Sequence, residues 1–455
     1  MSTKQQKLVL IIAIFASFVA NLDGTIVNVA LPAMARELGG GLVLQQWIVN
    51  AYMITLGALM LIAGSLSDVF GRKKILTIGL VWFGVASLLC AVAPDGVMLI
   101  AARAIQGIAG AMLVPSSLAL IMSSFSGSDE SKAIGKWTAW TVVAPAIGPV
   151  IGGALVDAGS WRWIFAINIV PILVSLWLLR KLRLNENHAH ARVDFIGSLL
   201  CAVGLGGIVY ALIEQEHFGW SHPLIFGCMI AGTLSMIAFL WYERRAVHPM
   251  MPLSLFSIRN FSVGNIATFA IYASLSIGLF LATIFIQQVG GYSATFAGLA
   301  FLPVTIFMFI LSPIFGKLAG VHGPRLFMAT GPLIIALGFL SFLRVGQPIN
   351  YLTELLPGIL LFGLGLSITV APLTAAILGS IHKRESGIGS AVNNAVARVA
   401  GLLGVASLGL VIGSNITLES FHNGMIFAAI LFAIGGVVSA IGIKNPELHP
   451  PQQPR

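Results

Sequence analysis

One acid interrupts the first long apolar stretch of the chain. Residues Leu8 to Ala35 carry a single charge, Asp23. A charge in hydrocarbon costs roughly 2.5–3.5 kcal/mol on insertion scales, so an acid kept there needs a partner or a task. Proton exchange is the chemistry open to it, because removal from water favours the neutral carboxyl and a nearby cation favours the carboxylate. A second ionisable side chain, Arg103, falls inside the fourth apolar stretch, and a third, Arg398, inside the thirteenth. Arg398 stands beside Asn393 and Asn394, with no acid at matching depth in the C-terminal half. It is left with backbone carbonyls, water or an anionic group of a cargo. Near the outer ends of other stretches lie Gln46, Trp47, Asn50, Tyr52, Tyr272, Gln287, Gln288 and Tyr292. Of these, Asn50 and Tyr272 are the candidates for contact with a bulky, partly apolar ligand.

These residues need helices that cross a membrane. The 455 residues are 57% hydrophobic and only 9% charged, far from the balance of a soluble domain. Fourteen apolar stretches of spanning length run roughly over 8–34, 47–65, 75–93, 97–122, 133–156, 162–180, 195–213, 223–241, 261–287, 295–316, 326–343, 352–377, 387–412 and 424–443. They lack the alternation of barrel strands. The first runs on through Asp23 and is expected to be a retained helix, not a cleaved signal. The expectation is an all-α integral membrane protein.

Lys and Arg set its orientation. With the N-terminus inside, the inner segments hold Lys4, Lys7, Arg72, Lys73, Lys74, Lys132, Lys136, Arg180, Lys181, Arg183, Arg192, Arg244, Arg245, Arg259, Lys317, Arg325, Lys383, Arg384, Lys444 and Arg455. Only Arg36, Arg162 and Arg344 fall outside, so both termini are placed inside. The net charge of +9 is thereby explained by topology and implies no nucleic-acid partner. Cys90, Cys201 and Cys228 lie in apolar spans without paired spacing, which argues against a disulfide framework or metal site. No nucleophile–base set suggests an enzyme.

In this frame the two deep charges can be compared. Asp23 lies about 22 Å from the inner end of span 1, and Arg103 about 9 Å from the outer end of span 4, at 1.5 Å per residue. In a core of roughly 30 Å they share a height, in its outer half.

An internal repeat is also visible. Gly64 and Gly71 follow span 2, and Gly316 and Gly323 follow span 10 in the same register. Two six-helix halves, 1–185 and 259–455, would then flank an inserted pair in 186–258. Repeated halves are a transporter architecture with the site at mid-membrane.

Four segments carry a resemblance to a known family: Leu22 to Pro32, Gly64 to Lys74, Ala102 to Gly107, and Ala144 to Gly153. The chain resembles the major facilitator superfamily, and within it the fourteen-helix drug:proton antiporters. The resemblance implies that spans 1 and 4 are neighbours, so that Asp23 and Arg103 form a direct or water-bridged pair in which Asp23 takes up and releases a proton. It implies that an inner loop with Gly64, Asp68, Gly71, Arg72 and Lys73 latches the halves together. Asp68 is expected to cap a helix or pair with Arg72, and Val69 stands where the family places a basic residue. It implies an antiporter role for Pro145, Gly148, Pro149, Gly152 and Gly153, whose small groove allows tight helix packing.

The expected function is proton-coupled export of small amphipathic, cationic compounds by alternating access. It would need no cofactor beyond the proton gradient. Small-molecule cargo, protons and the lipid bilayer are the expected partners of a monomer in the inner (cytoplasmic) membrane. If the cargo is cationic, cargo and proton should compete for Asp23. The alternatives are export of a physiological metabolite, peptide or lipid, a membrane sensor that does not transport, and a channel, for which the spans lack a continuous polar stripe.

Overall fold

The computed structural model describes residues 3–183, 194–247, 249–382, 385–413 and 415–445. Of the basic residues used for orientation, Arg192, Lys383, Arg384 and Arg455 lie outside the described residues. Among the described residues there are helices and no strands. Fourteen helices are long and apolar enough to cross a bilayer. They are Lys4–Leu38, Gly41–Met60, Arg72–Ala91, Gly96–Ser124, Gly127–Asp157, Trp163–Lys181, Phe195–Phe218, Pro223–Arg245, Arg259–Gln288, Ala294–His322, Arg325–Arg344, Tyr351–Leu378, Ser386–Ile412 and Leu418–Gly442. Each contains or overlaps the window expected from the sequence. A helix satisfies its own backbone, which lipid cannot do, and that is why the apolar stretches adopt this form.

Side chains cap several helices. Asp95 accepts from the Met98 amide at 2.8 Å, and Ser293 from the Phe296 amide at 3.1 Å. Glycine ends others. Gly71 (φ 96°) and Gly323 (φ 83°) make the turns after the helices of spans 2 and 10, at matching places in the internal repeat. Their positive φ is a conformation that L side chains rarely adopt.

One expectation needs correction. Gly64 to Asp68 are not in a loop, because the helix of span 2 continues unbroken to Phe70. The turn is confined to Gly71. Asp68 therefore caps nothing and instead pairs with Arg72 one turn on, at 2.9 Å. Small residues and an acid suit a loop, but an Asp–Arg pair four apart is equally at home along a helix.

The chain divides into two compact units. The first comprises Met1–Pro252, Ser276–Leu302 and Gly401–Gly424. Its buried core includes Val9, Ile12, Val19, Leu80, Phe83, Leu113 and Ile172, drawn from spans 1, 3, 4 and 6. The second comprises Leu253–Leu275, Pro303–Ala400 and Met425–Arg455. There Phe339 of span 11 packs edge-on against Phe362 of span 12 and Phe432 of span 14, at 5.4 and 5.1 Å. Large apolar side chains left outside, such as Phe309, Trp177 and Ile441, suit lipid and would be a liability in water.

Candidate functional site

Asp23 and Arg103 meet directly. Arg103 Nη1 donates to Asp23 Oδ2 at 2.5 Å, and neither residue is more than 2% exposed. Two amides complete the contact. Gln106 Nε2 and Asn168 Nδ2 each donate to Asp23 Oδ1 at 2.9 Å. The carboxylate thus accepts from three side chains on spans 4 and 6.

Helix geometry explains how they converge. Arg103 and Gln106 are three apart on span 4 and share a face. Arg103 Nη1 also donates to Gln106 Oε1 at 2.6 Å. Asn168 sits where span 6 breaks between Trp163–Ala166 and Ile169–Lys181. Its side chain does not cap the following helix and turns to Asp23 instead. Ser87 of span 3 accepts from Gln106 at 2.9 Å and from Asn168 at 3.4 Å. Arg103 is held on its other side by the Ile48 carbonyl, 3.2 Å from Nε, and by the Tyr52 ring, 4.2 Å from Cζ. Four other spans, 2, 3, 4 and 6, therefore supply the surroundings of one acid.

A buried acid and a buried guanidinium thus meet with further hydrogen bonds around them, the pairing that charges withdrawn from water require. Removing one partner of a buried pair typically costs about 3–5 kcal/mol, because the other charge stays buried.

Span 5 lies against the same turn of span 1. A Cβ on Gly148 would stand 2.5 Å from Thr25 Oγ1, and one on Gly152 2.6 Å from Ile26 Cγ1. Gly153 faces the backbone of Ala294 and Thr295 at the start of span 10, and Gly298 of span 10 faces the Pro149 carbonyl. Asp157, at the end of span 5, accepts from the amides of Ala294 (3.1 Å) and Thr295 (2.8 Å). The Gly148–Gly153 segment thus joins the turn bearing Asp23 to the first turn of span 10. Pro145 lies within the same helix.

On the inner side, Lys73 Nζ donates to the Leu182 carbonyl at 2.6 Å, tying the ends of spans 3 and 6. A Cβ on Gly64 would meet nothing within 4 Å.

Asn50 is fully buried in span 2, and neither its amide nitrogen nor its oxygen has a hydrogen-bond partner among the described residues. Tyr272 and Arg398 both belong to the second unit, where the guanidinium is close enough to act electrostatically on the phenol. Arg398 forms no hydrogen bond or ion pair with the described residues and is half-buried. Asn393, beside it, is committed to Asn265 (3.1 Å) and Thr268 (2.9 Å) of span 9. Asp23, Arg103 and Asn50 belong to the first unit.

Gln106, Asn168, Ser87 and Asp157 were not singled out as site residues by the sequence. Gln106 stands inside one of the segments that carried the family resemblance, three residues from Arg103, and that spacing was the available signal. Asn168 and Ser87 are single polar residues in apolar spans and carry none.

The sequence profile described as Major Facilitator Superfamily matches residues 13–405 and 264–455. The puromycin resistance protein pur8 of Streptomyces alboniger is 35% identical over 88% of this chain and 81% of its own length. The multidrug resistance protein Stp of Mycobacterium tuberculosis (strain CDC 1551 / Oshkosh) is 32% identical over 91% of this chain and 78% of its own. The crystal structure of the peptide transporter POT in complex with sulfate superposes with a TM-score of 0.71 at 16% identity, over 95% of this chain and 93% of that one. That last likeness is one of fold.

Proposed function

The chain belongs to the major facilitator superfamily, a family of multi-pass membrane transporters of small molecules and not of enzymes, and on that footing we propose that it is a proton-coupled antiporter. Its cargo is small, amphipathic and cationic, and it is exported across the cytoplasmic membrane by alternating access. The resistance proteins among its relatives support export of toxic compounds. The observation that carries the proton role is the buried Asp23 carboxylate held by Arg103, Gln106 and Asn168.

Residues 1–185 and 259–455 act as the two halves, with 186–258 as an inserted pair. Asp23 takes its proton from the outer side and releases it inward. Protonation weakens its hold on Arg103, and span 5 carries the change from Thr25 and Ile26 to Ala294 and Thr295. Asp23 is closed to solvent, so a cationic cargo and a proton compete through this rearrangement and not by sharing the carboxylate at one moment. Asn50, Tyr272 and Arg398 line the cargo's path. Gly64, Asp68, Gly71, Arg72 and Lys73 latch the inner side. The proton gradient is the only energy source, and the working unit is a monomer.

The test is antiport in proteoliposomes carrying an internal pH indicator. Adding a lipophilic cation such as ethidium on one side should drive protons the opposite way. Cargo movement without proton movement would contradict the reading.

A further inference from the structure

Two acids outside the Asp23 site meet between spans 7 and 8. Asp194 precedes span 7, and its Oδ1 caps that helix by accepting from the Gly197 amide at 2.8 Å. Glu243 lies near the end of span 8, is 2% exposed, and its Oε2 accepts from the Met251 amide at 2.9 Å. Each acid has one oxygen left, Asp194 Oδ2 and Glu243 Oε1, and neither accepts a well-formed hydrogen bond from the described residues, with the Tyr242 phenol beside Asp194. These two oxygens point at the same place. A Cβ on Gly197 would stand 2.7 Å from the first and 2.6 Å from the second, so only glycine leaves them room to meet. The two carboxyl groups therefore face each other across Gly197.

Two carboxylates are both acceptors and repel, and the pair becomes a hydrogen bond only with a proton between them. Among the described residues the surroundings show no cation in its place. The Tyr242 phenol faces Asp194, and the Cys201 thiol stands near Glu243. Arg244 and Arg245 are exposed, with Arg245 stacked on Trp241 at 4.2 Å. Arg192 and His248 lie outside the described residues.

We propose that Asp194 and Glu243 form a second proton-binding site, holding one proton between Asp194 Oδ2 and Glu243 Oε1 and tying together the inner ends of spans 7 and 8. The clasp is complete while the proton is bound and is lost as the inner pH rises and the second carboxyl ionises. It also fixes the Met250–Met251 segment that leads toward span 9, through the Met251 amide. The inserted pair thereby gains a response to inner pH that does not involve Asp23.

Infrared difference spectra between neutral and alkaline pH test this on the full chain in lipid vesicles. An Asp23→Asn background removes any signal from that acid, so the outcome is independent of the proposed antiport. The background protein should lose a protonated-carboxyl C=O stretch at alkaline pH. That band should be missing after either Glu243→Gln or Asp194→Asn is added. Glu243→Gln can still donate to Asp194, so hydrogen exchange of the Met251 amide should stay slow in it at all pH values. Glu243→Ala should exchange about tenfold faster, the equivalent of one net hydrogen bond. A background protein without the band, or a band that survives either single variant, would overturn the proposal.

Discussion

The Asn168 amide reaches the Asp23 carboxylate at 2.9 Å across 145 residues of chain. With Gln106 and Arg103 it surrounds the Asp23 carboxylate with donors from two other helices. A donor to a carboxylate is worth about 1.5–3 kcal/mol. Its loss leaves a buried carboxylate with one donor fewer. Asn168→Leu should therefore lower the melting temperature of the purified protein and slow gradient-driven transport. Gln106→Leu should act in the same direction. Unchanged melting and transport in both variants would separate these amides from the Asp23 site.

Arg103 and Asp23 should be coupled in stability. Arg103→Met leaves a buried carboxylate without its cation and should lower stability by about 3–5 kcal/mol. Adding Asp23→Asn removes the orphaned charge and should restore much of the loss. Thermal melting of the purified variants in detergent reads both changes. Strict additivity of the two substitutions would show that the contact contributes nothing.

The glycines of the two family segments should behave differently. Gly152→Leu forces a side chain into Ile26 and Val29, and overpacking of this kind costs about 1–3 kcal/mol. Gly64→Ala meets open space and should leave the melting temperature unchanged. If the inner latch closes in another conformation, Gly64→Ala should still slow transport. Equal stability losses at the two positions would contradict the packing described for span 5.

Asn50 should also divide stability from activity. Its amide is buried with both polar atoms unpartnered among the described residues, an arrangement that costs free energy unless water or cargo fills it. Asn50→Leu is expected to leave stability equal or higher while weakening cargo affinity. Stability and affinity falling together would make Asn50 a structural residue.

Much of this was legible in the sequence. Counting residues from the span ends put Asp23 and Arg103 at one height, and they touch. Charge and hydropathy located fourteen spans because lipid leaves the backbone few other forms. The rest was hidden for physical reasons. An amide in an apolar span carries no sign of which way it turns, so Asn168 gave no signal until span 6 was seen to break beside it. Small residues are compatible with both a loop and a helix, so Gly64 to Asp68 were assigned to the wrong one. The Asp194–Glu243 contact joins residues that are ordinary helix-end acids when read singly.

The proposed coupling of cargo to protons rests on Asp23. Its most direct test compares wild type and Asp23→Asn in proteoliposomes, with an imposed pH gradient and, separately, with a cargo gradient alone. Wild type should concentrate cargo against its gradient only when protons run the other way. Asp23→Asn should lose that uphill transport and keep downhill cargo exchange. Undiminished uphill transport by Asp23→Asn would contradict the account.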